Sequence, residues 1–128
     1  MIATDLKDRT KKYALRVIKL CKTLNKGEWI EVVIGKQLLR SGSSSAANYR
    51  ATVIAKSDKD FLNKLKIVEE ELDESLFWME MLVESGIIPK RKLDLLMKEG
   101  TELLKIISAS IITMKNKRKN QKNKRNSK

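Results

Sequence analysis

The sequence lacks histidine altogether and contains only one cysteine, one proline and five glycines among its 128 residues. Without histidine the chain has neither the commonest general base nor the commonest metal ligand of proteins. The lone Cys21 cannot form an intrachain disulfide or a zinc site of the usual kinds, and it suits a reducing compartment. The scarcity of glycine and proline argues against a turn-rich all-β fold. These absences predict an all-α protein that is not an enzyme and holds no cofactor or metal.

Two local patterns superficially resemble chemical sites. Ser41–Ser45 contains Gly42, but no strand precedes it and no phosphate-loop lysine follows, so we expect small residues that let helices approach closely. Acidic residues crowd Glu69–Glu74, but di-metal carboxylate bundles combine such acids with histidine. We therefore assign no catalytic and no metal-binding residue, and we expect Cys21 to be an ordinary buried thiol.

Neither the N-terminal residues nor the apolar stretches of the chain suggest export or membrane insertion. Charged residues occur from Asp5 onwards, so the N-terminus offers no apolar core of a signal peptide. The longest apolar stretch, around Ile106–Ile112, is far too short to span a bilayer. We expect a cytoplasmic protein without a membrane partner.

Positive charge is abundant and unevenly distributed. The net charge is +12, and residues 115–128 contain eight Lys or Arg and no acid, which leaves 20 basic and 16 acidic residues in 1–114. Such asymmetry indicates a polyanionic partner, with nucleic acid ahead of an anionic membrane surface. The alternative is a basic tail that only keeps the protein soluble.

Helical periodicity divides the rest of the chain into four segments. They run from about Asp5 to Asn25, Glu28 to Ala55, Ser57 to Ser85 and Pro89 to Met114. Connections of a few residues force neighbouring helices to be antiparallel. We predict an up-down-up-down four-helix bundle over residues 1–114, followed by a disordered basic tail over 115–128.

The register of the second and third segments predicts one structural ion pair. If the chain folds back near residues 56–57, Arg40 comes within reach of Glu70, Asp73 or Glu74. Glu69 shares a heptad position with apolar residues, so its carboxylate requires a partner or an interface.

Apolar residues extend beyond the heptad seam of the third segment. Phe77, Trp78 and Met81 lie beside this seam and widen the apolar face beyond what one bundle core needs. We predict that these three residues form an oligomer interface.

Basic residues form the candidate nucleic-acid surface. Lys12, Arg16 and Lys19 share one face of the first helix, away from its apolar stripe. The tail contributes the remaining candidates: Lys115, Lys117, Arg118, Lys119, Lys122, Lys124 and Arg125.

The run Gln37–Arg50, QLLRSGSSSAANYR, is distinctive and resembles the central motif of a bacterial four-helix bundle family, the 23S ribosomal RNA intervening-sequence (S23) proteins. Lys56-Ser57, Asp60–Leu62 and Lys64–Ser75 also resemble that family, as do Trp78 and Glu99–Met114. The resemblance covers about residues 5–114 and not the tail. It implies a ring-like homopentamer, encoded in some members within intervening sequences of 23S rRNA genes. Distant relatives are accessory proteins of diversity-generating retroelements that bind reverse transcriptase and nucleic acid. The family supplies no catalytic residues.

Together these observations predict a non-enzymatic oligomeric bundle that binds RNA or DNA through its basic surface and tail. The alternative is a protein-binding scaffold or accessory subunit, for example of a reverse transcriptase.

Overall fold

The structure is a computed structural model that describes residues 3–126, and four α-helices make up most of it. They are α1 (Ala3–Cys21), α2 (Trp29–Thr52), α3 (Asp58–Glu84) and α4 (Lys90–Asn126). Each helix packs against its neighbour in sequence, and α1 also packs against α4, which closes the bundle. The predicted all-α, up-down-up-down four-helix bundle is confirmed.

Both ends of α3 carry capping interactions. The Ser57 hydroxyl accepts a hydrogen bond from the backbone N–H of Asp60 at 3.1 Å, as an N-cap residue does. The Asp60 carboxylate accepts from the backbone N–H of Lys56 and from the Lys64 ammonium, which lower its pKa, the Lys64 bond contributing most. At the other end, Gly86 adopts a φ of 81°, a left-handed conformation that glycine reaches without strain.

The serine- and glycine-rich segment of α2 is helical and packs closely against α1. A Cβ added at Gly42 would lie 2.9 Å from Cγ1 of Val17, so only glycine permits this approach. Ser41 and Ser45 are fully buried, and their hydroxyls donate to carbonyls one turn earlier in the helix. The segment therefore serves helix packing, because small side chains bring the two backbones together and the hydroxyls find partners within their own helix.

Tyr13 fills the centre of the bundle. It is completely buried on α1, and its hydroxyl lies 2.7 Å from the Ser75 hydroxyl of α3. A Cβ added at Gly100 of α4 would lie 2.7 Å from the Tyr13 hydroxyl oxygen and 3.0 Å from Cδ2 of Leu76. The ring therefore occupies space that a side chain at position 100 would otherwise take.

The basic segment after Met114 differs from the predicted disordered tail, because α4 continues as a helix through Asn126. Met114 is the last residue of α4 that packs against the core, and residues 115–126 are exposed. Lys, Arg and Gln are good helix formers, and extending an existing helix avoids the cost of nucleation. Cationic side chains near a helix C-terminus also complement its dipole. Met114 thus marks the end of the core, while residues 127–128 lie outside the described part of the chain.

Candidate nucleic-acid interface

The basic extension of α4 presents one strongly cationic face. Cations at spacings of three and four residues lie on the same side of a helix. Five of the seven predicted tail residues line a single open cavity of about 650 Å³ beside Leu62, near the start of α3. These five are Lys115, Arg118, Lys119, Lys122 and Arg125. The helical repeat turns Lys117 and Lys124 away from this group. We call these five residues the tail face.

The three basic residues predicted on α1 form a stripe of exposed side chains. Lys12, Arg16 and Lys19 are spaced by four and three residues, and all three are exposed. Arg16 and Lys19 also border a cavity between α1 and the start of α4, whereas Lys12 does not. The stripe and the tail face are therefore two separate basic surfaces.

A third basic cluster was missed by the sequence reasoning. Lys7 and Lys11 of α1 and Arg50 of α2 line a cavity of about 300 Å³ whose other lining residues are Ala46 and Ala47. The i, i+4 spacing of Lys7 and Lys11 is visible in the sequence, but Arg50 joins them only through the antiparallel register of α1 and α2. This cluster, the start of α3 and the tail face lie toward the same end of the bundle.

Arg40 forms the predicted contact with α3 through Glu74, one of the three predicted acids, and also contacts Glu71, which was not predicted. Its guanidinium donates to Glu74 and to Glu71, the latter at 3.1 Å. Glu71 and Glu74 are three residues apart and share a face, whereas Glu70 and Asp73 face away, and no ion pair among residues 3–126 joins them to Arg40. Hydrogen bonding to Glu74 is the main cause that raises the Arg40 pKa.

The Arg40 side chain is 49% exposed, so the pair is not buried. Water therefore screens the charges, and the contact fixes register more than it stabilises the fold. Glu74 also accepts a hydrogen bond from Nε1 of Trp78 at 3.2 Å, which links the pair to the neighbouring aromatic residues.

A second ion pair, between α1 and α4, was not predicted. Arg9 donates from Nε and Nη2 to the two carboxylate oxygens of Glu99, at 3.2 and 2.6 Å, and its Nη2 also lies 3.3 Å from Glu102. The hydrogen bond to Glu99 is the main cause that raises the Arg9 pKa. This pair depends on which residues of α1 and α4 lie side by side. The two helices are not joined by a short turn, so the sequence does not specify that register.

Two further side chains find partners within the bundle. Glu69, whose carboxylate was expected to need one, accepts a hydrogen bond from the Ser108 hydroxyl of α4 at 2.7 Å. Cys21 is only half-buried, and burial raises the pKa of its thiol. Its Sγ lies 3.6 Å from the Gly35 carbonyl, so the thiol behaves as a packing group.

The residues predicted for an oligomer interface are exposed to different degrees. Phe77 is 45% exposed, whereas Trp78 and Met81 are half-buried, with Trp78 packed against the core. The Phe77 and Trp78 rings meet edge to face, with centroids 4.9 Å apart. In α2, Trp29, at 72% exposed, and Val33, at 50%, are further exposed apolar residues. Their spacing of four residues places them on the same face of α2.

The family model of the 23S rRNA-intervening sequence proteins matches residues 4–109. The chain belongs to this family. A solved structure of similar fold is described as a protein of unknown function from the S23 ribosomal protein family of Bacteroides thetaiotaomicron VPI-5482, determined at 1.70 Å resolution. It is 34% identical, with a TM-score of 0.80, and the match covers 87% of this chain and 98% of that one. A comparison with curated proteins found no match.

Some basic surfaces of this S23 family member lie inside the residues that the family model matches, and one lies outside them. The α1 stripe and the cluster of Lys7, Lys11 and Arg50 lie within residues 4–109. The tail face begins at Lys115 and lies outside that range. The bundle is therefore the part described by the family model, and the cationic extension is added to it.

In the part of the chain from residue 3 to 126, no helix is long and apolar enough to cross a bilayer.

Proposed function

We propose that this S23 family member is a non-enzymatic, oligomeric bundle that binds RNA or DNA through the tail face and the basic surfaces of the bundle. The tail face carries the proposal. Five cations line one side of a helix that extends past the core, and no acidic residue occurs from 115 onwards. Phosphate contacts of this kind release counterions and give affinity that depends on salt and little on sequence.

The charge distribution of the bundle supports a defined orientation on a polyanion. Helix α3 contains nine acidic and three basic residues, whereas α4 contains twelve basic and three acidic residues. A polyanion is repelled from the exposed acids of α3, such as Glu70 and Asp73, and attracted to α4 and α1. The cluster of Lys7, Lys11 and Arg50 adds positive charge toward the same end as the tail face.

Self-association supports the same function by repeating the basic surfaces. The exposed edge of Phe77, together with Trp29 and Val33, provides apolar surface suited to contact between copies. The family resemblance points to a homopentamer. Several tail faces in one particle would bind a polyanion with higher avidity than a single one.

A second candidate is a protein-binding scaffold or accessory subunit, for example of a reverse transcriptase. The same exposed apolar residues favour it, because such surface serves contact with a different protein as readily as contact with another copy. In that case the tail contributes solubility, and nucleic acid is not retained by the isolated protein.

A comparison of the two sides of the α4 extension tests the first candidate. K119A/K122A removes two cations from the tail face, while K117A/K124A removes two cations from the other side of the same segment. Both variants have the same net charge, so a general electrostatic effect weakens them equally. We expect K119A/K122A to bind single- and double-stranded RNA and DNA more weakly, with a flatter dependence of log K on log salt. Equal binding by the two variants would refute the tail face as the site.

A further inference from the structure

We infer that the cavity between α1 and the start of α4 binds an amphiphilic anion, a small molecule with an apolar body and one carboxylate or phosphate. The cavity has a volume of about 520 Å³ and is closed on one side by the loop between α3 and α4. Pockets of this size are typical of small-molecule sites. This site does not depend on nucleic-acid binding.

The floor of the cavity is aliphatic. Ile88 and Leu96 are 6% and 5% exposed, and the half-buried Leu20 and Leu24 of α1 complete the lining on the other side. None of the described residues that line the cavity is aromatic, so this surface does not offer stacking for a nucleobase. An alkyl chain or a ring edge would bury apolar area against these four side chains.

The rim of the cavity carries three cations. Arg16 and Lys19 come from α1 and Lys92 from α4, and all three are exposed. No ion pair among residues 3–126 includes any of them. Three cationic groups above an apolar floor suit one carboxylate or phosphate attached to an apolar body.

Among the described residues of the rim, Glu31 is the one carboxylate, and it already has a hydrogen-bond partner. Glu31 accepts a hydrogen bond from the backbone N–H of Asn25 at 2.8 Å, which holds the loop between α1 and α2. The first turn of α4 contains no acidic residue, so its positive N-terminal end adds to the field of the three cations. The cavity therefore favours an anion, and the bound molecule would supply the missing negative charge.

A titration of the full chain with decanoate, followed by methyl NMR, tests this inference. We expect saturable shifts of the Leu20, Leu24 and Leu96 methyl groups, with the methyl groups of the remote Ile54 unchanged. Decanol has the same chain without the charge and inorganic phosphate has charge without the chain, so each should bind much more weakly. Shifts that spread over the exposed apolar surface without saturating would overturn the site.

Charge variants connect the binding to the rim. K19E/K92E reverses one cation from each helix, and we expect at least about a tenfold loss of decanoate affinity. K12E/K98E is the matched control, because it reverses one cation in each of the same helices outside the cavity and should bind as the parent does. Equal losses in the two variants would show a non-specific charge effect and contradict the inference. L20F fills the floor without changing charge and should also abolish the shifts of the Leu24 and Leu96 methyl groups, with helicity retained.

Discussion

Tyr13 of α1 donates its hydroxyl hydrogen to the Ser75 hydroxyl of α3 across the centre of the bundle, at 2.7 Å. The direction follows from Ser75, whose single hydroxyl hydrogen is donated to the Leu72 carbonyl at 2.7 Å. Tyr13 also fills the space opposite Gly100. One side chain of α1 thus fixes the spacing of α3 and the closest approach of α4.

The contact between Tyr13 and Gly100 predicts a coupled pair of substitutions. G100A places a Cβ against the Tyr13 ring and Leu76, and should destabilise the fold by about 1–3 kcal/mol through overpacking. Y13F removes the oxygen closest to that Cβ, so G100A should cost less in the Y13F background. Chemical denaturation of the four proteins measures the coupling, and strictly additive free energies would contradict it.

Ionisation of Tyr13 predicts a loss of stability in alkali. Burial is the main cause that raises the pKa of Tyr13 from 10.0 to about 12. Between these values the unfolded protein releases the tyrosine proton while the folded protein retains it. Stability is therefore fully present below pH 10 and falls as pH rises, by roughly 2–3 kcal/mol at the upper end. The difference in unfolding free energy between the parent and Y13F should shrink over this range, and a constant difference would disprove the assignment.

The two arginine pairs should differ in their contribution to stability. Arg9 is mostly buried, with 20% of its side chain exposed, and grips Glu99 through two hydrogen bonds, so R9A should cost about 1–2 kcal/mol. Arg40 is much more exposed, so R40A should change the unfolding free energy far less. Thermal melts of both variants test whether R9A loses more stability than R40A. A larger loss for R40A would show that the α2–α3 pair matters more than its exposure indicates.

Sequence reasoning predicted the helices well because their signals are local. The caps at Ser57 and Gly86 and the heptad seam of α3 depend only on neighbours a few residues away in the sequence. The Arg40–Glu74 pair was predicted, but Glu71 was missed as the second partner, because Glu70 and Glu71 differ by one residue and face different directions. The Arg9–Glu99 pair and the inclusion of Arg50 in a basic cluster depend on how distant helices are placed side by side, which no local pattern specifies.

The helical extension is the main difference between prediction and structure. A segment with no apolar residue cannot bury a face, so composition alone indicated disorder for 115–128. Its attachment to a packed helix favours the helical state over disorder, because Lys115 follows Met114 without a break in α4 and no new helix has to be nucleated. The sequence predicted seven equivalent basic residues in the tail. The helix places five of them on one side and the other two on the opposite side, a distinction that a disordered tail would not make.

The exposed edge of Phe77 predicts the behaviour of interface variants. F77E should dissociate the proposed oligomer at micromolar concentration and leave the helical content unchanged, because this ring is 45% exposed in one chain. It is a cleaner test than W78E, since Trp78 also packs against the core. L95E alters an apolar residue of α4 that is 72% exposed and serves as the control. Light scattering that shows the same mass for F77E and the parent would contradict an interface at this edge.

The central claim is that the α4 extension binds phosphate groups, and its most direct measurement is a salt titration with RNA and DNA. The full chain and a chain ending at Met114 should both fold, because residues 115–126 are exposed and Met114 is the last residue of α4 that packs against the core. We predict that log K for the full chain falls with log salt, by nearly one unit of slope for each phosphate contacted on duplex DNA. The shortened chain should bind all sequences more weakly and with a flatter slope. A full chain that binds neither RNA nor DNA at low salt would contradict the account.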